Sequence, residues 1–290
     1  MSSDVRLALE AMATRFELVV AGPDPSGLRA AGEEALGEIA RREQQLSRFV
    51  PSSDVSWINA HAADGPVQVE PSLFRLLQRC HTLSVATGGT FDITVGPLVR
   101  AWRTAGESGA LPDPGMLARA RGSTGYSRLI LDEEERTVRF TSPGMSIDLG
   151  AAGKGFAIGC AMDILRDLGV TSALLHGGTS SVHALGAPPD GGGWKVEWKD
   201  PAGGTRVFDL ADSALSVSAV HGRIVDVDGE RYGHVIDPRT GMPTRTATSA
   251  VVTGPGSLEC DALSTALLIL GAEWIPELRR LFPGYDGKVG

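Results

Sequence analysis

Ser146-Ile147-Asp148-Leu149-Gly150-Ala151-Ala152-Gly153-Lys154-Gly155-Phe156 reads as an apolar strand end, an aspartate, a loop of small residues and a lysine at the start of a helix. Gly150, Ala151, Ala152, Gly153 and Gly155 carry almost no side chain, so their backbone amides can approach a ligand closely. Lys154 adds a point charge at the helix N-terminus. This is the physics of a phosphate cradle. It is not a P-loop, because Gly153-Lys154 lacks both the earlier glycine and the Ser/Thr after the lysine. It also misses the dinucleotide fingerprint, with Gly159 one position late. The same residues also suit an ordinary strand-to-helix turn with a solvated lysine, so other segments must decide.

Upstream, residues 16–20 read as a strand. Leu28, Ala31, Ala35 and Ile39 recur at helical spacing and predict an amphipathic helix over residues 26–49. Pro51-Ser52-Ser53-Asp54 caps a short helical segment over 55–59. A second helix is predicted over 72–86, stopped by Gly88-Gly89. Residues 90–99 read as a loop, in which Asp92 is either functional or a cap for the next segment. Residues 103–125, rich in Gly, Pro, Ala and Ser, predict a surface excursion, and 127–140 a hairpin breaking at 132–136.

Downstream, a helix is predicted over 154–168, then strands over 171–175, 194–198, 206–210 and 214–220. A hairpin over 224–232 turns at Asp228-Gly229. A strand over 247–253 and helices over 257–270 and 274–281 complete the chain. No repeat or linker divides it, so residues 1–290 are expected to form one unit. Strands and helices alternate irregularly, which predicts an α+β fold rather than a doubly wound parallel sheet.

The 290 residues suffice for a large core, and a net charge of −8 argues against non-specific nucleic-acid binding. Cys80, Cys160 and Cys260 form no CxxC and read as core thiols. Residues 1–10 show neither the basic nor the apolar region of a signal peptide, and no apolar run approaches the roughly 20 residues of a membrane span. These features predict a cytoplasmic protein, or a periplasmic or membrane-anchored one where an export segment precedes it.

A second informative place is the helix over 257–270. Asp261, Ser264 and Thr265 stand at i, i+3 and i+4, so three oxygen-bearing side chains share one face of an otherwise apolar helix. Mg²⁺ would satisfy such a stripe, and so would Ser/Thr bonds back to helix carbonyls. No Cys or His belongs to the face, and Cys260 points away by helical geometry. His234, before Val235-Ile236-Asp237-Pro238, reads by itself as a hydrogen-bonded structural histidine. Serine-hydrolase and zinc signatures are absent.

Taken in order, the segments resemble the flavin transferase family of ApbE type, the FAD:protein FMN transferases. The resemblance is carried by Met12-Ala13-Thr14, by Gly88-Gly89-Thr90-Phe91-Asp92 with Gly96-Pro97-Leu98, and by the stretch from Asp148 to Gly155. It continues through Gly177-Gly178, His234-Val235-Ile236-Asp237-Pro238 with Gly241 and Pro243, and Asp261-Ala262-Leu263-Ser264-Thr265-Ala266. It implies a largely antiparallel sheet with packed helices and two lobes around a flavin groove. It implies FAD as substrate, Mg²⁺ as cofactor, and transfer of FMN to a Ser or Thr hydroxyl of an acceptor protein with release of AMP. By motif position, Met12, Thr90, Phe91, Asp92, Asp148, Lys154 and Val235 would contact FAD. The Ala151 carbonyl and the Asp261, Ser264 and Thr265 face would hold the metal. His234 would sit near the reacting phosphate, and it and Asp261 are the candidate catalytic residues. An FAD pyrophosphatase and a non-catalytic flavin-binding module are the alternatives. The chain departs from the family pattern at Thr179-Ser180-Ser181 and over residues 217–223, which bears on the flavin-ring pocket and the acceptor preference.

Overall fold

The computed structural model describes residues 3–199, 203–220, 224–227 and 230–290. Its strands in chain order are β1 (Ser3–Ala11), β2 (Thr14–Gly22), β3 (Val67–Gln68), β4 (Leu129–Asp132), β5 (Thr137–Phe140), β6 (Ala173–Gly177), β7 (Ser181–Leu185) and β8 (Trp194–Lys199). There follow β9 (Thr205–Leu210), β10 (Ser213–Ala219), β11 (Ile224–Val227), β12 (Glu230–Gly233), β13 (Ile236–Asp237), β14 (Met242–Pro243), β15 (Ser249–Gly254) and β16 (Asp286–Val289). The helices are α1 (Pro25–Leu46), α2 (Asp54–His61), α3 (Pro71–Ala86), α4 (Gly96–Ser108), α5 (Pro114–Gly122), α6 (Gly153–Asp167), α7 (Ser257–Leu270) and α8 (Ile275–Leu281).

One seven-stranded sheet, in the order β1-β2-β6-β7-β10-β15-β16, organises the molecule, and every described pairing in it is antiparallel. Its two faces follow from the period-2 alternation of side chains. Phe16, Leu18, Val20, Ala173 and Leu175 turn to α1 and α6. Ala214, Ala250 and Val252 turn to α7. The intervening Leu174, Val182, Leu215 and Val251 turn the other way, onto Val196, Trp198 and Leu210 of the β8–β9 ribbon. The helix-bearing face thus carries two large buried clusters, one around α1 and α6, the other around α3, α7 and the small β3-β5-β4 sheet. The polar site lies where α6 meets α7.

The α+β expectation holds, and most helices lie within a few residues of their predicted bounds. Ser53 caps α2, its Oγ accepting from the Ser56 amide at 3.0 Å. Gly88, Gly89 and Gly169, all at positive φ, follow helix ends as the sequence indicated. Three readings change. Residues 103–125 are largely exposed, as expected of a surface excursion, but they are helical: they form the end of α4 and all of α5, and Ala120 joins Leu98 and Trp102 of α4 against Ile236. Residues 90–99 are loop only to Asp92, since α4 begins at Gly96. The apolar residues before Asp148 pair with no strand. β1, β7 and β16 were not foreseen, and the expected turn at Asp228-Gly229 lies outside the described residues, although β11 and β12 pair on either side of it. Among the described residues no helix is long and apolar enough to cross a membrane.

Candidate functional site

Residues 145–149 belong to no helix, strand or turn, so their polar groups need partners elsewhere. Distant side chains supply them. Asn59 on α2 grips Ile147 at both ends: its Nδ2 donates to the Ile147 carbonyl at 3.0 Å, and its Oδ1 accepts from the Ile147 amide at 2.7 Å. The Asp148 amide donates to the Ile93 carbonyl at 2.7 Å, which joins this segment to the Thr90–Asp92 loop. Arg100 on α4 donates from Nη1 to Ser146 Oγ at 2.8 Å. Arg48, just beyond α1, pairs with Asp148 at 2.9 Å. The other Asp148 oxygen accepts from the Gly150 amide at 2.8 Å. Gly96 allows the close approach: a Cβ there would stand 2.3 Å from Ser146 Oγ and 2.7 Å from its carbonyl oxygen.

The helix α6 then starts without a side-chain cap of its own. Its first-turn amides are orphan donors, and the Gly155 amide finds its acceptor on another helix, Asp261 Oδ2 at 2.9 Å. Only glycine fits that position, because a Cβ on Gly155 would lie 2.2 Å from the Ser257 carbonyl oxygen. A carboxylate at a helix N-terminus is also favoured by the helix dipole. The Ala151 carbonyl accepts no backbone hydrogen bond among the described residues. Lys154 is half-buried and, among the described residues, has neither an ion pair nor a hydrogen bond.

Asp261 is 4% exposed. Its second oxygen accepts from Ser216 Oγ at 3.3 Å, and Ser216 in turn shares a hydrogen bond with Ser181 at 3.0 Å. One turn along α7, Ser264 donates back to the Asp261 carbonyl at 2.9 Å and meets Ser218 Oγ at 2.8 Å. Thr265 bonds the same carbonyl at 3.4 Å and lies 3.1 Å from Ser218 Oγ. Both satisfactions that the sequence left open are thus compatible: the hydroxyls bond back along the helix, and the stripe remains oxygen-only. Ser216 and Ser218 were missed. Their signal was the alternation Ala214-Leu215-Ser216-Val217-Ser218, which puts two hydroxyls on the helix-bearing face of β10.

Such a donor set suits Mg²⁺, which takes one or two carboxylates with further oxygens, waters and substrate phosphates. Asp261 uses two of about four lone-pair sites on its protein donors. The described residues hold no group of three or more His, Cys, Asp or Glu placed to bind a metal. Cys260, one turn before Ser264, also packs on β10, with its sulfur 3.6 Å from the Ala214 carbonyl.

The remaining predicted residues fall in several places. Met12 and Ala13 form the β1–β2 hairpin turn at φ 51° and 57°. Neither is a glycine or asparagine, so the turn is strained, and Glu43 anchors it by accepting from the Met12 amide at 2.6 Å. Gly178 packs on this hairpin; a Cβ there would meet Thr14 Oγ1 at 2.2 Å. Gly177 fits between Phe16 and Ile158 of α6, tying the hairpin to the cradle helix. Thr90 and Phe91 are sealed in the core. Asp92 is buried and caps the turn before α4, accepting from Thr94 N at 2.8 Å, Thr94 Oγ1 at 2.7 Å and Tyr126 N at 2.7 Å. Burial raises its pKa, and the Thr94 and Tyr126 hydrogen bonds oppose that shift. His234 is exposed at the bend between β12 and β13. Val235 is half-buried against the core, and its carbonyl accepts from Thr244 N at 2.8 Å. Gly233 abuts Val220, two residues past Ser218, which sets the His234 loop at the same end of β10 as the α7 stripe.

The fold and these contacts define an antiparallel α+β protein with a polar seam between a glycine-rich helix start and a buried carboxylate. The chain belongs to the ApbE family, whose profile matches residues 12–285. It is 32% identical over 277 residues to a Treponema pallidum protein named FAD:protein FMN transferase, covering 89% of this chain and 76% of that one. A Klebsiella pneumoniae protein of the same name is 31% identical over 240 residues, covering 81% and 74%. The crystal structure of the ApbE protein from Thermotoga maritima superposes with a TM-score of 0.87 at 27% identity, over 99% of this chain and 94% of that one. The apo form of the Pseudomonas stutzeri flavinyl transferase ApbE shares the fold, with a TM-score of 0.84 at 23% identity over 99% and 95%.

Proposed function

We propose that this protein is an FAD:protein FMN transferase. The observation that carries the reading is the Asp261–Gly155 contact in a chain of the ApbE family: it places a buried carboxylate at the glycine-rich start of the Lys154 helix. A pyrophosphate needs close backbone amides and cations. Here the Gly150, Ala152, Gly153 and Gly155 amides already have protein acceptors, which among the described residues leaves the Ala151 and Lys154 amides and the Lys154 ammonium for it. Lys154 would offset charge on the phosphates, with Met12, Thr90, Phe91, Asp92, Asp148 and Val235 in the FAD site. Thr90 and Phe91 are buried, so their part is to shape its wall rather than to reach across it. Asp261, Ser264, Thr265 and the Ala151 carbonyl would hold Mg²⁺, which when bound supplies charge stabilisation to the phosphoryl transfer.

In the reaction a Ser or Thr hydroxyl of the acceptor forms a bond to the FMN-side phosphorus. The bond from that phosphorus to the bridging oxygen breaks, and AMP leaves with the oxygen. The hydroxyl proton passes to a base, for which His234, exposed at the mouth of the loop, is the first candidate. The test is incubation with FAD, Mg²⁺ and an acceptor, followed by mass spectrometry. Acceptor carrying FMN with equimolar AMP supports the proposal. Free FMN and AMP irrespective of acceptor would mean an FAD pyrophosphatase, and intact bound FAD would mean a flavin carrier.

A further inference from the structure

Asp148 is the carboxylate of the cradle loop itself, six residues before Lys154. Left free, it would repel an incoming phosphate and compete with it for the lysine. The structure gives it another partner. Arg48 Nε lies 2.9 Å from Asp148 Oδ2, and the two side chains are only 19% and 13% exposed, so water and salt screen the pair little. Asp148 Oδ1 accepts from the Gly150 amide at 2.8 Å, within the cradle. Arg48 pairs with no other carboxylate among the described residues, and its guanidinium lies 4.5 Å from the centre of the Phe49 ring. Two of the carboxylate's roughly four lone-pair sites remain open to a ligand.

We propose that Arg48 is a positioning residue of this site: it neutralises Asp148 and holds it on the Gly150 amide, which leaves Lys154 unpaired for the phosphate. The inference rests on the reading of the site as an FAD site. Arg48 does not touch the ligand; it acts through Asp148, and removing it leaves an uncompensated carboxylate beside a pyrophosphate.

The test is calorimetric FAD affinity of the full chain in wild type, Arg48→Ala, Arg48→Lys and the double variant Arg48→Ala/Asp148→Asn, at low and high salt, with the melting temperature of each apoprotein. Arg48→Ala is expected to weaken FAD binding about tenfold or more, as displacement of a binding group does. Arg48→Lys recovers most of the loss. The double variant, in which no uncompensated charge remains, binds FAD more tightly than Arg48→Ala, and the Arg48→Ala deficit changes little with salt because the site is sheltered. Affinity within twofold of wild type in Arg48→Ala overturns the proposal. So does a loss matched by a fall in melting temperature and unrelieved by Arg48→Lys, which would make Arg48 structural. Failure of the wild type to bind FAD overturns the proposed function, and this inference with it.

Discussion

Lys154 stands at the start of α6 without an ion-pair partner among the described residues, in a chain whose net charge is −8. A charge-assisted contact to phosphate is worth roughly 1.5–3 kcal/mol. Lys154→Ala is therefore expected to weaken FAD binding by about that amount while leaving the melting temperature of the apoprotein unchanged. Equal affinities by calorimetry would remove Lys154 from the site. His234 is exposed, so its replacement costs the core nothing. With His234→Ala, turnover on a competent acceptor should fall on the order of 10²–10⁴-fold, the contribution of a general base, with FAD affinity little changed. Normal turnover would make it a structural histidine. Much of this was legible in the sequence, because glycine spacing and the i, i+3, i+4 rule are local. Asn59 and Arg48 were not, since each acts on a segment about 90 to 100 residues away and nothing local marks the pairing.

Among the elements, α6 and α7 decide the geometry of the seam. They touch at Gly155, where a Cβ would fall 2.2 Å from a backbone oxygen of Ser257 and 2.8 Å from Asp261 Cβ. Backbone cannot yield as a side-chain tip does, so Gly155→Ala should push the helices apart at a cost of about 1–3 kcal/mol, the usual penalty for overpacking. The displaced Asp261 would also lose its bond to the Gly155 amide. Chemical denaturation should show the lost stability, and FAD binding should fall with it. A variant as stable as wild type would mean that the two helices are free to adjust. The bounds of α7 were legible to the residue, because its apolar run starts after Pro255-Gly256 and stops at Gly271. By contrast α4 and α5 were hidden by composition: Gly and Pro, which disfavour helix, together with Ser at their ends look like loop until packing against Ile236 is known. β16 was hidden for a different reason, since its partner β15 is separated from it by α7 and α8. β1 and β7 instead pair with their neighbours β2 and β6 across short turns that carry no Asn-Gly or Asp-Gly signal.

Across the whole molecule, the seam separates the cluster built on α1 and α6 from the one built on α3 and α7. Asp261 is the carboxylate of α7 that touches both sides: it belongs to one helix and caps the other. A cation held by Asp261 together with the Ala151 carbonyl would tie α7 to the loop that leads into α6. It would bind the folded chain and not the unfolded one, where these groups are apart. By linkage, Mg²⁺ at a hundred times its Kd should stabilise the fold by about 2.7 kcal/mol, a rise of several degrees in melting temperature for a chain of this size. EDTA should reverse the rise. In Asp261→Asn the shape survives, with Oδ1 still accepting from the Gly155 amide and Nδ2 now donating to Ser216 Oγ, but the charge that attracts the ion is gone, so added Mg²⁺ should leave the melting temperature flat. Ca²⁺, larger and less strict in geometry, should stabilise the wild type less than Mg²⁺ if the oxygens are as few as the structure indicates. A melting temperature that rises equally with Mg²⁺ in wild type and Asp261→Asn would place the ion elsewhere and leave Asp261 as the interhelical cap alone.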